Sequence, residues 1–212
     1  MGVEYFKKTW FTSDWHIGHN NVLNFCKETR GHLQDLDHMH TVLIDNYNER
    51  VKPDHTCFFL GDFAFKGMEY GAKVLERMHG KKILIRGNHD KGHQSLSNMG
   101  FDAVMDSMEI KLGGLYITAS HFPLSGIERE NCKGFKKYIE GENWHGEFKY
   151  TEDYLVIPDR GQNIHLHGHI HSPNRGLSKK ICGIQYDVGV DANELKPISL
   201  NNIIKQIKRS KK

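Results

Sequence analysis

The sequence lacks any hydrophobic run long enough to span a bilayer, and its first residues lack the charged-then-apolar layout of a signal peptide. Gly2 does not complete a myristoylation motif, because Phe6 stands where that motif needs serine or threonine. Internal repeats and low-complexity segments are also absent. We therefore expect one domain over residues 1–212, located in the cytoplasm and without a membrane partner.

Closely paired cysteines are absent as well, because none of the four cysteines stands in a C-x-x-C pair. A structural zinc site with cysteine ligands is therefore disfavoured. In a reducing compartment the simplest expectation is that all are free thiols, namely Cys26, Cys57, Cys132 and Cys182.

The sequence also lacks a large net charge. The formal net charge is +3, and much of the excess lies in the tail at 205–212. We expect this tail to end an amphipathic helix that Ser199 caps, because cations suit the carboxyl end of a helix dipole. A nucleic-acid contact through the tail is an alternative that the sequence does not favour.

Histidine, by contrast, is abundant: the chain has fifteen, and eight of them cluster at 16/19, 89/93 and 165/167/169/171. Histidine is the commonest metal ligand and a frequent proton carrier. Clusters of it at the ends of strands therefore need a functional explanation more than scattered residues would.

The first half of the sequence alternates strand and helix patterns. Apolar runs near 9–12, 55–60 and 82–86 end in polar loops, and helical periodicity covers about 35–51 and 68–78. This alternation predicts parallel strands covered on both faces, with a site at their carboxyl ends. The polar residues at those ends are Asp14, His16, Asp62, Asn88 and His89.

The second half is richer in short β-like runs, at 103–105, 107–112, 115–119, 164–166 and 184–190. Gly113-Gly114 predicts a hairpin turn. The polar, irregular stretch at about 124–163 is interpreted as an inserted loop region over or beside the site. Three further histidines follow strands of this half, namely His121, His169 and His171.

Together the strand ends collect carboxylates, imidazoles and an amide. This mixture suits divalent transition ions better than calcium or magnesium, which prefer oxygen ligands. Eight such residues are too many for one ion, and Asp62 could bridge two ions about 3.5–4 Å apart. Such a pair lowers the pKa of a shared water and clamps a phosphoryl group during in-line displacement.

Five blocks of this sequence resemble the motifs of the calcineurin-like metallophosphoesterases. They are Asp14-x-His16, Gly61-Asp62, Gly87-Asn88-His89-Asp90, the lone His121, and Gly168-His169-x-His171. The blocks stand in the family's order and cover the chain from about residue 9 to 190. The stretch at 13–20 is similar to that of a group of small bacterial and phage phosphoesterases.

The resemblance implies an α/β fold, a four-layer αββα sandwich of two mixed β-sheets flanked by helices. The metal ligands that it implies are Asp14, His16 and His171 for one ion, Asn88, His121 and His169 for the other, and Asp62 as the bridge. The implied cofactors are two divalent metal ions, with manganese preferred and iron, nickel or zinc as alternatives.

The resemblance also implies the reaction. His89 would act as general acid or stabilise phosphoryl oxygens, and a metal-bound hydroxide would attack a phosphodiester or a phosphomonoester, with the diester slightly preferred. The implied substrate is a small phosphate ester, with nucleotide-derived compounds among the open choices.

The second block departs from the protein serine/threonine phosphatases, which have an aspartate and an arginine where this chain has Phe65 and Lys66. Phe65 cannot accept a hydrogen bond, and lysine lacks the planar fork of arginine, so protein phosphatase activity is disfavoured. The chain is also shorter than the nuclease members, which disfavours action on duplex DNA. The candidates for substrate contact are His19, Arg86 and Lys66.

Alternatives remain open for several polar residues. His19 is as compatible with helix capping as with substrate contact, and His165 and His167 are expected to be structural or to orient a ligand. Asp187 and Asp191 are given no catalytic role, and Asp191 is expected to form a turn.

Two functions of other classes also remain open. One is a catalytically silent interaction scaffold on the same fold, which the intact ligand positions disfavour. The other is a nucleic-acid-binding module that uses the basic tail, for which binding would be steeply salt-dependent.

Overall fold

A computed structural model of the chain describes residues 7–65, 67–112, 115–123, 163–173, 176–178 and 184–210. The expected insertion lies outside the described residues up to position 162, as do Lys66, the Gly113-Gly114 turn and the last two lysines of the tail. Cys132 and Cys182 also lie outside them, whereas Cys26 and Cys57 are free and buried.

The first sheet contains the predicted parallel strands. Its members are β1 (Thr9–Thr12), β2 (Thr56–Leu60), β3 (Lys81–Ile85), β4 (Ala103–Met105) and β10 (Ile198–Ser199). The order is β10-β1-β2-β3-β4, with β1 to β4 parallel and β10 antiparallel to β1. The run at 103–105 therefore belongs to the first sheet and not to the β-rich second half, where the sequence had placed it.

The second sheet is also mixed. Its strands are β5 (Met108–Leu112), β6 (Leu115–Ala119), β7 (Asn163–His167), β8 (Gly176–Ser178) and β9 (Ile184–Asp187), in the order β5-β6-β7-β9-β8. β5 and β6 pair antiparallel, as the predicted hairpin requires. β6, β7 and β9 are parallel, whereas the unpredicted β8 is antiparallel to β9.

The helices are α1 (Val22–Phe25), α2 (Lys27–Arg30), α3 (Leu36–Arg50), α4 (Met68–Glu76), α5 (His93–Met99) and α6 (Leu200–Ser210). Asp35 caps α3 by accepting a hydrogen bond of 2.8 Å from the His38 backbone N–H. The Ser199 hydroxyl accepts one of 3.2 Å from the Asn202 N–H, which confirms the predicted cap of α6.

Two hydrophobic cores hold the layers together. The first joins Phe59 and Trp15 to helix residues such as Leu43 and Met39. The second lies between the sheets, where Phe11, Phe58 and Leu60 meet Ile117, Leu166 and Tyr186 and are joined by Ile203 of α6. The α/β prediction of two mixed sheets flanked by helices is therefore confirmed. Among the described residues, no helix combines the length and hydrophobicity needed to cross a membrane.

The loops after the parallel strands are tied together at one edge of the molecule. The Asp14 N–H donates to the Gly61 carbonyl at 3.1 Å, and the His16 N–H donates to the Asp62 carbonyl at 3.0 Å. Ser13 forms a parallel bridge with Gly189, which follows β9. The carboxyl ends of strands from both sheets therefore converge on one place.

Gly61 is required at this edge by both conformation and space. Its φ is +91°, a conformation that side chains with a Cβ rarely adopt. A Cβ there would overlap Nδ1 of His121 and come within 2.7 Å of the Gly87 Cα. The turn after β2 can therefore approach His121 and Gly87 only because it lacks a side chain.

Replacing Gly61→Ala should lower the free energy of unfolding by about 2–4 kcal/mol, because left-handed backbone strain and overpacking add. Chemical denaturation measures this change. Gly92→Ala is the matched control, since Gly92 has φ −64° and nothing lies within 4 Å of its added Cβ. The control should cost less than about 1 kcal/mol. Equal losses in the two variants would contradict the steric explanation.

Candidate metal centre

Asp14, His16 and His171 form the first group of predicted ligands. Their ligand atoms all lie within 4.8 Å of one another. The Nε2 atoms of His16 and His171 are 3.1 Å apart, and Nε2 of His171 is 4.0 Å from Oδ1 of Asp14. Asp14 and His16 are buried. Three donor atoms facing one point in this way could hold a divalent ion.

Asn88, His121 and His169 form a second group beside the first. Nε2 of His121 lies 2.9 Å from Oδ1 of Asn88 and 3.2 Å from Nδ1 of His169. The backbone N–H of His169 also donates to the Asp14 carboxylate at 2.9 and 3.1 Å. One backbone contact therefore fixes the two groups relative to each other.

Asp62 stands between the groups. Its Oδ2 is 3.7 Å from Nε2 of His16 in the first group and 3.4 Å from Nε2 of His121 in the second. Burial would raise the pKa of this carboxyl, but the neighbouring His121 and His16 lower it below the ordinary value. The side chain is therefore a carboxylate, as a shared ligand needs to be.

Five of the seven predicted ligands have a backbone in the left-handed region. Their φ angles range from 45° to 72°, in Asp14, His16, Asp62, His169 and His171. Such angles cost energy in non-glycine residues and are concentrated at functional sites. No sequence pattern predicts this feature, because histidine and aspartate usually adopt other backbone conformations.

Hydrogen bonds fix which nitrogen of two histidines faces the centre. Nδ1 of His121 lies 2.8 Å from the Leu60 carbonyl, and Nδ1 of His171 lies 2.7 Å from Oδ2 of Asp191. A carbonyl or carboxylate can only accept, so both Nδ1 atoms carry hydrogen. In the neutral imidazoles the Nε2 lone pairs therefore point into the centre, as metal ligands require.

Asp191 is a part of the centre that sequence reasoning missed. The sequence predicted only a turn there, and Asp191 does begin a 3-10 turn, Asp191–Asn193. Its carboxylate also binds His171 and pairs with Arg30, whose Nη2 is 2.6 Å from Oδ2 and whose Nε is 2.9 Å from Oδ1. Thr29 donates its hydroxyl hydrogen to the same carboxylate.

Arg30 extends this support to the opposite side of the first group. Its side chain is completely buried, and its Nη2 donates to the Asp14 carbonyl at 2.7 Å. A buried guanidinium needs such partners because an unpaired charge away from water is costly. Arg30 therefore connects the backbone of one ligand to the carboxylate that orients another.

Asp90 is a second residue that the site prediction left out, although it lies within the third sequence block. Its Oδ2 accepts from the N–H groups of Asp62 and Gly87, both at 2.8 Å, and its Oδ1 accepts from Phe63 at 3.1 Å. These bonds hold the loops after β2 and β3 together, which positions Asp62 and Asn88.

Protons occupy part of the centre when ions are absent. Burial disfavours the charged form of His121, yet Asp62 and Asp14 raise its pKa to about 9. For His171 burial is likewise outweighed, and hydrogen bonding to Asp191 raises the pKa to about 11. Burial lowers the pKa of His16 well below its ordinary value. Protons and cations therefore compete for the same nitrogens.

His89 lies at the mouth of the centre with its side chain 45% exposed. Its backbone N–H donates to Oδ1 of Asp62 at 3.0 Å, and its Nε2 is 4.0 Å from Oδ2 of Asp62. The ring of Phe65 packs edge-on at 5.4 Å between centroids. Phe65 therefore flanks His89 by ring packing, where the protein phosphatases have a hydrogen-bonding aspartate.

The structure separates two of the candidates for substrate contact. The ring of His19 is 5.7 Å from that of His16, so it lies beside the first group. Arg86 is instead held by Asp106, with both Nε and Nη2 at 2.7 Å from its Oδ1. The third candidate, Lys66, lies outside the described residues.

His165 and His167 are both buried in the second sheet. Nδ1 of His165 is 2.9 Å from the Thr118 hydroxyl, and its Nε2 is 2.9 Å from the Phe122 carbonyl. Nδ1 of His167 lies 3.0 Å from the Gly168 carbonyl. These contacts agree with the structural alternative that the sequence left open.

Comparison with known proteins gives relatives along nearly the whole chain, although no protein-family model matches it. The MJ1445 protein of Methanocaldococcus jannaschii is 31% identical over 207 residues, which are 97% of this chain and 94% of that protein. The Gene 66 protein of Mycobacterium phage L5 is 29% identical over 203 residues, 87% of this chain and 86% of the phage protein.

Among solved structures, protein AQ665 from Aquifex aeolicus is similar with a TM-score of 0.64 and 27% identity, covering 93% of this chain and 98% of that one. The archaeal relative extends over almost the full chain, and the five motif blocks converge in space on the two-sheet fold. The chain belongs to one family with the MJ1445 protein. Its five blocks, now seen to converge, resemble the motifs of the calcineurin-like metallophosphoesterases. In this chain the Asp and His groups are candidate metal ligands.

Replacing Asp191→Asn should weaken Mn²⁺ binding about 10- to 100-fold, because His171 loses the carboxylate that orients it. Equilibrium dialysis measures this affinity. The variant should also lose about 3–5 kcal/mol of stability, since Arg30 is left without its buried partner.

The double variant Arg30→Met with Asp191→Asn separates the two effects. It should recover stability, because no unpaired charge remains, while Mn²⁺ binding stays weak. Asp106→Asn, which alters the exposed partner of Arg86, is the control and should change neither quantity. Wild-type Mn²⁺ affinity in Asp191→Asn would show that Asp191 serves Arg30 alone.

Proposed function

We propose that this protein is a dinuclear-metal-dependent phosphoesterase, with phosphodiesters slightly preferred over phosphomonoesters. The observation that carries the proposal is the place of the Asp62 carboxylate. It lies within 4 Å of imidazole nitrogens from two separate ligand groups, at 3.7 and 3.4 Å. A single-ion site has no need for such a shared carboxylate, whereas a two-ion phosphoesterase does.

The residues present fit two ions of the transition series. Asp14, His16 and His171 would hold one, the remaining amide and imidazoles would hold the other, and Asp62 would contact both. The family resemblance favours Mn²⁺, and the imidazole donors also suit the alternatives Fe, Ni²⁺ and Zn²⁺. When bound, two such ions lower the pKa of a water and neutralise charge on phosphoryl oxygens.

His89 would protonate the leaving-group oxygen. It is exposed at the mouth of the centre, and its backbone is anchored on Asp62, so the imidazole stays beside the proposed ion pair. It belongs to neither of the two ligand groups. A side chain in this place can transfer a proton to a group that departs toward solvent.

The preference for a diester is supported by the ion pair of Arg86 with Asp106, which occupies the guanidinium. A phosphomonoester carries an additional negative charge and benefits from a cation that binds it bidentately. Arg86 is committed to Asp106 through two nitrogens, both at 2.7 Å. A diester, with one charge fewer, depends less on such a cation.

Hydrolysis by EDTA-stripped protein, with Mn²⁺, Ni²⁺, Zn²⁺ or Mg²⁺ restored one at a time, tests the function. Bis-p-nitrophenyl phosphate and p-nitrophenyl phosphate are compared side by side. We expect Mn²⁺ to restore turnover and the diester to be preferred.

Asp62→Asn should lose metal and turnover together, because a neutral amide bridges two cations poorly. A folded protein that is inactive with every metal would contradict the proposal.

Replacing His89→Gln should retain both ions and slow hydrolysis by about 10²–10⁴-fold, because the proton donor is lost. Metal content and steady-state rates are measured on the same preparation. The loss of rate in this variant should be smaller for an ester of p-nitrophenol than for an alkyl ester, because p-nitrophenolate leaves readily without a proton. Loss of metal from this variant would show that His89 is a ligand and not an acid.

A further inference from the structure

Large apolar side chains are unusually exposed around the mouth of the centre. Phe25 is 74% exposed, Phe65 is 47% exposed, and Ile170, which stands between two predicted ligands in the chain, is 44% exposed. Single exposed apolar residues are normal on protein surfaces. A group of them beside a polar centre instead marks a surface that binds something.

Three of the rings around this mouth form a continuous surface, which we call the aromatic rim: Phe25, His19 and Phe65. The centroid of His19 is 5.7 Å from that of Phe25 and 4.2 Å from that of Phe65. Phe65 in turn contacts His89 at 5.4 Å, and His19 contacts His16 at 5.7 Å. The rim therefore contacts a predicted metal ligand, His16, and the proposed acid, His89, directly.

The backbone holds the rim in place. The N–H of Phe65 donates to the Ile17 carbonyl at 2.9 Å, and Ile17 also forms a parallel bridge with Ala64. Nδ1 of His19 accepts from the Asn21 N–H at 3.2 Å. A surface that is positioned before binding loses less conformational entropy when a ligand arrives.

The aromatic side chains of the rim favour ligands that contain a planar ring. Its members present flat ring faces and edges, which attract other planar rings by stacking. A phosphoryl group between the two ligand groups and beside His89 would project its organic substituent over these rings. A bare sugar has hydroxyls and no planar face, whereas a nucleobase has one.

We propose that Phe25, His19 and Phe65 form a stacking subsite for the nucleobase of a nucleotide phosphoester. The ester's phosphoryl group would occupy the neighbouring Asp and His centre. This inference rests on the phosphoester hydrolysis proposed above and names the substrate class of that same site. It assigns Phe65 a role in specificity at a position where the protein phosphatases use a polar residue.

Isothermal titration calorimetry on the Mn²⁺-loaded protein tests the subsite without requiring turnover. The probes are adenosine 5′-monophosphate, ribose 5-phosphate and n-hexyl phosphate. Stacking of one base predicts that the nucleotide binds about 5- to 150-fold more tightly than ribose 5-phosphate. The alkyl ester should show no comparable gain.

Phe65→Ala and Phe65→Leu should both bring the ratio of the two affinities toward one, because neither side chain has a ring. Phe25→Ala should reduce the ratio in the same direction. Tyr70→Ala is the matched control: Tyr70 is 40% exposed, but it contacts His40 and Asp37 and not the rim. This control should leave both affinities unchanged.

The outcomes separate this inference from the proposed function. Equal affinity of the wild-type protein for the nucleotide and the sugar phosphate would overturn the subsite and leave phosphate binding intact. An equal gain for n-hexyl phosphate, retained in Phe65→Leu, would show a general apolar surface and would also overturn it. If only the diester bis-p-nitrophenyl phosphate bound, the subsite would be overturned and the proposed function would stand. Failure of this diester and of all three probes to bind would contradict the proposed function itself.

Discussion

The arrangement of the whole centre depends on where the Asp62 carboxylate is held. Its backbone N–H is bound by Asp90, its Oδ1 accepts from the His89 N–H, and its Oδ2 faces histidines of both ligand groups. These contacts come from the loops after β1, β3 and β6, so the carboxylate is placed by residues that only the folded sheets bring together. The glycine before it permits this approach, because any Cβ would overlap His121.

Buried charged residues behind the predicted metal ligands orient the ligand side chains toward the centre. Arg30 and Asp191 neutralise each other away from water, and their remaining hydrogen bonds reach the Asp14 backbone and the His171 ring. Buried ion pairs contribute little net stability, but breaking one is costly. The main role of the Arg30–Asp191 pair is therefore to orient the metal ligands. Its hydrogen bonds also help to stabilise the strained left-handed backbone conformations of Asp14 and His171.

Much of this site could be predicted from the sequence, because the carboxyl ends of parallel strands must converge. That rule alone brought Asp14, Asp62 and Asn88 together. It could not reveal Arg30 and Asp191, which are 161 residues apart and look like a solvated helix residue and a turn residue. Strand β4 was assigned to the wrong half, since three residues carry too little periodicity to show their sheet.

The most direct test of the two-ion account is a crystal structure of the protein grown with Mn²⁺, with anomalous differences collected at a wavelength where manganese scatters strongly. The account predicts two peaks, one beside Asp14, His16 and His171 and the other beside His121, with the Asp62 carboxylate touching both. A single peak, or two peaks that Asp62 does not share, would contradict it.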